Sequence, residues 1–460
     1  MPLTHPSWLA KARQTLAGIP LAMMGSALIR TWVRCATPHF PSGPVGGAAL
    51  PGLPAITTDN VFDVVCAITA LALAFAARSI APSFRQPRLT GACTAAMSIA
   101  SVALGFAAML DIPWLFAPIA LVAGVGFMTM SLTWAELYLS FNPIRMILYY
   151  CSAQALSNVF IFALDGYGEP HIFGVLATLP LPSLWALRIS VRALRPDDAP
   201  LVNQAARPFP WKPAAFVAIY ALAYSIAESS SGVLAGYPGL FLYLVPPLLF
   251  LIGVIFEPRR FSLRTIYLIV CPVMMCALLL PVAIPSLPQG VSAALISLGY
   301  NTSGILGVLI LGSISYRLGI SALWLLGITR ACTYSGVFLG AFFHQTFGAV
   351  GGGFSPTLSI LLAVCVVVSS TMLLTEKGVN ANWRMSPHGQ VDAIARARDL
   401  YGLTAREEEI LCLLAQKKTV PTIATDMFLA QGTVKAHVQH IYQKMGIHSR
   451  KELEATLHVK

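Results

Sequence analysis

The sequence predicts an all-α protein: a polytopic membrane helix bundle of about twelve spans in two halves of six, followed by a small four-helix domain. Two observations lead to this prediction. The 460 residues are 56% hydrophobic and only 11% charged, whereas soluble domains carry about 25% charged residues. The apolar residues form repeated long runs that stop near Thr375, after which the chain is polar. Lipid is therefore the expected solvent for most of the chain.

Apolar runs long enough to cross a membrane recur along residues 1–375. A spanning helix needs about 20 predominantly apolar residues, and such runs occur at twelve positions. The first run is the least apolar, because Arg30 and Arg34 lie near its far end. The predicted spans are 14–35, 59–80, 90–111, 114–134, 145–165, 172–194, 213–235, 238–257, 262–284, 292–315, 320–343 and 353–375.

The distribution of positive charge predicts the orientation of these spans. Short cytoplasmic loops of membrane proteins are enriched in Lys and Arg. Every second connection in this chain lacks Lys and Arg, and the connections between them carry the basic residues. The connections without Lys or Arg are 36–58, 112–113, 166–171, 236–237, 285–291 and 344–352. We therefore expect these six connections outside, and both termini in the cytoplasm.

The longest charged connection, residues 195–212, separates two halves at 1–195 and 213–375. This six-plus-six layout resembles the major facilitator superfamily of transporters. The superfamily has a Gly-x-x-x-Asp-Arg-x-Gly-Arg type pattern between spans two and three, which this chain lacks. The loop here reads RSIAPSFRQPR, and the equivalent loop of the second half reads EPRRFSLR. The resemblance is thus one of layout, and a fold does not determine a function.

Residues 376–400 are polar and form a juxtamembrane linker, with a short helix expected at 390–399, and residues 401–460 form a separate domain. Thr404 and Glu407 make a Thr-x-x-Glu pattern just before an apolar run. This pattern is a capping box, in which each residue satisfies a backbone N–H group at a helix start. It predicts where the first helix of the domain begins.

The third helix of this domain is expected from Gln431 to about Met445, with Gly446 ending it. Apolar residues at i, i+4, i+7 and i+11 predict its buried face; they are Val434, Val438, Ile441 and Met445. The opposite face is basic and rich in amides. A short helix, a tight turn and such a helix are typical of a helix-turn-helix, whose outer face can enter the major groove. A small bundle with a solvated face is the alternative that spacing alone leaves open.

Residues 403–450 closely resemble the LuxR/FixJ-type helix-turn-helix family. The matching positions are Leu403-Thr404, Arg406-Glu407, Glu409-Ile410-Leu411, Ile423-Ala424, Gly432-Thr433-Val434-Lys435, His437-Val438, Ile441, Lys444, Gly446 and Ser449-Arg450. The chain departs from the family pattern at Gln416-Lys417, at Thr419-Val420-Pro421-Thr422 and at Ala430-Gln431. These departures concern the phosphate contacts of the second helix more than the fold.

The resemblance implies double-stranded DNA as a partner and assigns roles to single residues. The residues implied to face bases are Lys435, Ala436 and Gln439. Those implied to lie near phosphates are Thr433, Lys418, Gln443 and Lys444. His437 either contacts DNA or packs against the second helix. The fourth helix, which Ser449 caps and which carries Leu453, is the family's usual dimer surface, so a homodimer on an inverted repeat is implied.

Polar residues inside the predicted spans form a second group of candidates. Ionisable residues within membrane helices are costly and often functional. Glu228 lies in span seven and Arg330 in the middle of span eleven, and the amide and hydroxyl candidates are Gln154, Asn158, Tyr300 and Asn301. We expect these residues to line one central cavity, with Glu228 and Arg330 paired across it. The alternative is a structural ion pair with interhelical hydrogen bonds.

These features predict a one-component transcriptional regulator in the bacterial inner membrane, surrounded by lipid, that binds a small-molecule inducer in its membrane part. A secondary transporter with a DNA-binding tail is the alternative. An enzyme is disfavoured, because the sequence contains no nucleophile–base pair, no metal-ligand cluster and no phosphate-binding loop. No cofactor and no metal are expected.

Overall fold

The computed structural model forms two compact units, Met1–Ala381 and Asn382–Lys460, and each is considered by itself. All regular elements in the described part of the chain are helical. The structure describes residues 21–41, 56–141, 143–194, 209–231, 237–256, 263–284, 289–318, 320–351, 356–374, 397, 401–415, 418–427, 429–450, 452–453 and 456.

Helices of the first unit occupy all twelve predicted span positions, with the sixth span divided in two. Pro180 begins the second piece, where a proline without an N–H group is tolerated. The helices of eight or more residues are α1 (Ser26–Ala36), α2 (Thr58–Phe75), α3 (Pro87–Met109), α4 (Phe116–Leu139), α5 (Pro143–Leu164), α6 (His171–Thr178), α7 (Pro180–Arg192), α8 (Trp211–Ser231), α9 (Tyr237–Phe256), α10 (Leu263–Ala283), α11 (Gln289–Leu318), α12 (Ala322–Gly351) and α13 (Pro356–Leu374).

The length and composition of these helices fit a membrane protein. Within the described residues, eight helices are long and apolar enough to cross a bilayer, and the shorter stretches Tyr243–Val254 and Val270–Ala283 are also apolar. Large apolar side chains are exposed around the outside, among them Phe75 at 74% and Trp185 at 68%. Such exposure would be unfavourable in water and is expected where lipid is the solvent. The predicted membrane helix bundle is confirmed.

The two halves of the bundle meet mainly through two pairs of helices. The second span, α2, packs against the eleventh, α12, and the fifth span, α5, packs against the eighth, α9. The eleventh span is the fifth span of the second half, and the eighth span is the second span of that half. Each interface therefore pairs the second span of one half with the fifth span of the other, which gives the bundle a pseudo-two-fold arrangement.

A buried carboxylate holds the loop between the second and third spans. Glu136, on α4, is 2% exposed and its Oε2 accepts a hydrogen bond of 2.7 Å from the backbone N–H of Ser83. The Ser83 hydroxyl also donates to this oxygen. The loop that lacks the superfamily pattern is thus fixed to α4 by other residues. The sequence analysis did not identify this contact.

The second unit contains the three predicted helices α14 (Ala405–Ala415), α15 (Val420–Asp426) and α16 (Gln431–Met445). Gly446 ends α16 with φ +65°, a left-handed conformation that glycine adopts without steric cost. Of the helix expected at 390–399, only Ala397 lies within the described residues. The core of the unit comprises Ala397, Leu403, Ile410, Leu411, Leu414, Ala415, Ile423, Ala424, Val434, Ile441, Met445, Ile447 and Leu453.

Two helices of the bundle, α8 and α12, approach each other closely at a glycine, and a substitution there tests this packing. A Cβ atom added to Gly336 of α12 would lie 2.6 Å from the Ala218 carbonyl oxygen of α8. We expect Gly336→Ala to lower the unfolding free energy of the membrane unit by about 1–3 kcal/mol, because the two helices must move apart. Gly174→Ala is the matched control, since no atom of the described residues lies within 4 Å of a Cβ at that position. Thermal denaturation in detergent compares them, and equal melting temperatures would contradict this packing.

Candidate functional sites

The outer face of α16 is the first candidate site. Val434 and Ile441 are fully buried and Met445 is 6% exposed, while Val438 packs partly buried against the same core. These four residues fix which side of the helix faces inward, as their spacing predicts. The exposed residues on the remaining surface are Gln431, Gly432, Thr433, Lys435, Ala436, Gln439, His440, Gln443 and Lys444.

Six of the eight residues predicted to contact DNA are therefore exposed on one helix: Thr433, Lys435, Ala436, Gln439, Gln443 and Lys444. His437 is half-buried on the same helix, and Lys418 is half-buried between α14 and α15. The surface offers an ammonium group and amides, which can donate to and accept from base edges. A methyl side chain lies between them at Ala436.

The capping box links the start of α14 to the end of α16. Glu407 N–H donates to Thr404 Oγ1 at 3.3 Å, and Thr404 N–H donates to Glu407 Oε2 at 2.8 Å, as the sequence predicts. Lys444 Nζ donates to the same Oε2 at 2.7 Å and to the Gly402 carbonyl at 3.2 Å. Lys444 thus holds α16 against the cap of α14, a role that the sequence analysis missed.

This network also sets the ionisation of Glu407. Burial alone would raise its pKa, but the hydrogen bonds from Lys444 and Thr404 outweigh that effect and lower the pKa to about 2. Hydrogen bonds to the charged form favour that form. Glu407 is therefore a carboxylate at neutral pH, buried under an ion pair whose lysine is partly exposed.

The expected dimer surface needs a correction at Leu453. This side chain is 1% exposed and belongs to the hydrophobic core of its own unit, so it is not available to a second copy. Ser449 does cap the last helix, since Glu452 N–H donates to Ser449 Oγ at 3.2 Å. Leu457, the next leucine of that segment in the sequence, lies outside the described residues.

The membrane unit contains a partly open cavity of about 1150 Å³, the second candidate site. Its walls come mainly from α1, α2, α4 and α5 of the first half and from α8, α9, α11 and α12 of the second. These helices hold equivalent positions in the two halves, so the cavity lies on the pseudo-two-fold axis. Such a volume is sufficient for a small organic ligand.

Five of the six polar residues predicted for the membrane part line this cavity: Gln154, Glu228, Tyr300, Asn301 and Arg330. Asn158 is not among the lining residues. Its side-chain amide is buried and donates to the Tyr243 carbonyl oxygen of α9 at 3.0 Å and to the Gln154 carbonyl oxygen. Asn158 therefore joins α5 to α9, as the structural alternative expected.

The contacts of Glu228 and Arg330 differ from the expected pair. Glu228 accepts a hydrogen bond from Tyr224, and the arginine that acts on its charge is Arg34. Arg330 is hydrogen-bonded to Tyr150. Both residues face the same cavity, but tyrosines hold them there.

Five charged residues of the cavity were not predicted. They are Arg30 and Arg34 of α1, Asp59 and Asp63 of α2, and Asp165, which follows α5. The sequence analysis took the two arginines as a sign of a poor first span and did not weigh the aspartates. An ionisable residue inside an apolar run is itself the signal of an interior position, and applied to the first two spans it would have identified four of the five.

Residues 402–456 match the model of a family described as bacterial regulatory proteins, luxR family. Spore germination protein GerE of Bacillus subtilis (strain 168) is 40% identical over 50 residues, which are 11% of this chain and 68% of GerE. The chain belongs to the LuxR family of bacterial regulatory proteins. The probable transcriptional regulatory protein NarL of Mycobacterium tuberculosis (strain ATCC 25618 / H37Rv) is 44% identical over 48 residues, 10% of this chain and 22% of NarL.

The LuxR-family match is confined to the second unit, and the membrane unit has a different relationship. The human organic anion transporter MFSD10 (TETRAN) superposes with a TM-score of 0.57 at 10% identity, covering 80% of this chain and all of that transporter chain. At this identity the likeness shows a shared fold only. The chain thus combines a major facilitator-like membrane unit with a LuxR-family helix-turn-helix.

The Glu407 network predicts how the LuxR-family unit responds to pH. We expect Glu407→Gln to lower its stability at pH 7 by about 1–2 kcal/mol, less than the full pKa shift because Lys444 is partly hydrated. The folded-state pKa lies below the ordinary 4.5, so the stabilisation is present above about pH 5 and is lost as pH falls toward about 2. Hydrogen exchange of the α14 amides in the full-length protein measures this loss.

The control for this measurement is Glu409→Gln. Glu409 pairs with Arg406 at 2.6 Å, but both side chains are largely exposed, and surface pairs contribute at most about 1 kcal/mol. We expect little change in exchange for this variant. Equal protection in wild type and Glu407→Gln at pH 7 would show that the buried ion pair does not stabilise the unit.

Proposed function

We propose that the protein is a one-component transcriptional regulator of the bacterial inner membrane. It senses a small molecule in its membrane unit and binds promoter DNA through its LuxR-family unit. The exposed outer face of α16, within a domain of a DNA-binding family, is the observation that carries this proposal. Residues 1–375 would be the sensor, 376–400 the linker and 401–460 the DNA-binding domain, with both termini in the cytoplasm.

DNA recognition would use α16 in the major groove. Lys435, Ala436 and Gln439 would face base edges, where Lys donates to guanine and Gln pairs with adenine. The residues placed near phosphates are Thr433, Lys418 and Gln443. Lys444 would reach a phosphate only with the part of its ammonium group that Glu407 and Gly402 leave free. His437 is half-buried and would contribute shape more than a base contact.

A homodimer on an inverted repeat is the binding mode that the family resemblance supports. Because Leu453 is buried in its own unit, a dimer contact through the last helix would use other residues of that helix. Two copies on one operator would read two half-sites about one helical turn apart.

Signal detection would take place in the 1150 Å³ cavity. A ligand shifts a conformational equilibrium only by its difference in affinity for the two states. The cavity lies between the two halves, so a ligand that contacts residues of both, such as Arg30 and Glu228, would favour one relative placement of the halves.

A secondary transporter with a regulatory tail is the second candidate, and the likeness to a transporter fold favours it. An uptake assay distinguishes the two functions. Solute-specific uptake into vesicles containing the purified protein, dependent on an ion gradient, would support transport. The enzyme class gains no support, since a regulator domain and a transporter fold are not typically enzymatic.

Substitution of the base-facing residues tests DNA recognition. Operators are first selected from random duplexes by the full-length protein. We expect Lys435→Ala combined with Gln439→Ala to weaken operator binding by about 2–6 kcal/mol, because each base contact contributes about 1–3 kcal/mol. Gel-shift titration gives the affinity. Arg406→Ala, which removes a positive charge outside α16, serves as the control. Full affinity in the double variant would mean that α16 does not read DNA.

Substitution in the cavity tests sensing. We expect Glu228→Gln to shift the half-maximal response of an operator-driven reporter by about tenfold, since a lost charge contact of about 1.4 kcal/mol changes affinity by that factor. The response is measured against a dilution series of the growth-medium fraction that switches the reporter. Asp111→Asn, in a loop outside the cavity, is the matched control. A dose curve that coincides with wild type would assign Glu228 a structural role.

A further inference from the structure

The charged residues of the cavity divide by sign onto different helices. Positive charges come from α1, with Arg30 and Arg34, and from α12, with Arg330. Negative charges come from α2, with Asp59 and Asp63. Glu228 of α8 and Asp165, which follows α5, add two further carboxylates to the lining. The cavity thus carries a cationic and an anionic set of side chains on different helices, which we call its two poles.

The cationic pole consists of arginines held by neutral groups. Arg30 is within electrostatic range of Arg34 and Arg330, and its Nη2 donates to Asn301 Oδ1 at 3.0 Å. The Arg34 guanidinium lies 4.2 Å from the ring centroid of Tyr243. Of the ion pairs found in the described part of the chain, none includes Arg30, Arg34 or Arg330. The charges of Arg30 and Arg330 are therefore available to an anionic group, while that of Arg34 also acts on Glu228.

The anionic pole consists of Asp59 and Asp63, one turn apart on α2 and so on one face of that helix. Each is within electrostatic range of Glu228. Neither aspartate takes part in an ion pair of the described residues. Like charges so close together repel, and a cationic group between them would relieve the repulsion.

Within the described part of the chain, two buried polar atoms of the lining residues have no hydrogen-bond partner. These are Arg30 Nε and Gln154 Oε1, and Gln154 as a whole is only 6% exposed. Buried polar atoms almost always have a partner. A ligand that carries both an acceptor and a donor would satisfy these two atoms.

We propose that this cavity binds a small zwitterion, with its anionic group on Arg30, Arg34 and Arg330 and its cationic group on Asp59 and Asp63. The middle of the ligand would lie against the stacked rings of Tyr224 and Tyr300, whose centroids are 4.2 Å apart. The claim that this ligand is the signal for transcription rests on the proposed function. The claim that it binds in the cavity does not.

A singly charged ligand fits these residues less well. A simple anion would leave the aspartates without a counter-charge, and a simple cation would do the same to the arginines. A purely structural role would join the two poles directly. Arg30 and Arg330 contact asparagine and tyrosine instead, and Arg34, which acts on the charge of Glu228, lies over the ring of Tyr243. A zwitterion neutralises both poles at once.

The test uses the unaltered full-length protein in lipid nanodiscs and three matched probe pools. The first pool contains the neutral amino acids, the second the primary amines that remain after loss of the carboxylate, and the third the acids that remain after loss of the amino group. Thermal unfolding is followed for each pool. We expect the amino-acid pool to raise the melting temperature, because a ligand of the folded state stabilises it, and the other pools to raise it far less.

Charge-removing variants then locate the binding. With the most effective amino acid of the first pool, Arg30→Gln and Asp63→Asn should each weaken binding on the order of tenfold to a hundredfold, as loss of one partner of a desolvated charge pair does. The matched controls outside the cavity are Arg88→Gln and Asp111→Asn, which should leave affinity unchanged. Normal melting of each variant without probe verifies folding.

Several results would overturn the zwitterion assignment: equal stabilisation by the acid pool or by the amine pool, no stabilisation by any pool, or unchanged affinity in both Arg30→Gln and Asp63→Asn. Failure of the proposed function is a separate result. If the amino acid stabilises the protein as expected but leaves its operator affinity unchanged, the cavity assignment stands and the sensing role fails.

Discussion

The cost of placing a charge in hydrocarbon governs the membrane unit. A guanidinium or carboxylate facing lipid is costly, so such groups face the interior of a bundle or a hydrated cavity. Arg30, Asp63, Glu228 and Arg330 lie on four different helices, and all line one cavity. The helices α1, α2, α8 and α12 must therefore turn these faces toward each other, while apolar residues such as Trp185 face outward.

In the C-terminal unit, the removal of apolar side chains from water has the corresponding role. Here the apolar stripe of α16 is removed from solvent, and its opposite face remains exposed with Lys435 and Gln439. An ionic contact at the edge of this core joins Lys444 to Glu407, and Glu407 is hydrogen-bonded within the α14 cap. The position of α16 thus depends on the stripe and on this contact, and a DNA-binding surface must be held rigidly to distinguish base pairs.

Periodicity predicted most of the fold because it depends on local sequence. Twenty-residue apolar runs placed the membrane helices, and the spacing of Val434, Ile441 and Met445 placed α16. Periodicity did not predict which residues far apart in the sequence contact each other in the fold. Glu228 was assigned to Arg330, but tyrosines hold both, and Leu453 was assigned to a dimer surface but fills its own core. Such partners depend on how helices rotate and pack, which a linear pattern does not specify.

The central claim is that a DNA-reading domain works while attached to a membrane bundle. Genome-wide DNA occupancy of the tagged full-length protein, cross-linked in intact cells and recovered from the membrane fraction, tests it most directly. The account predicts a few sharp peaks at promoters, which disappear when Lys435 and Gln439 are both replaced by alanine. Occupancy no higher than background, with and without the switching growth-medium fraction, would contradict it and direct attention to transport.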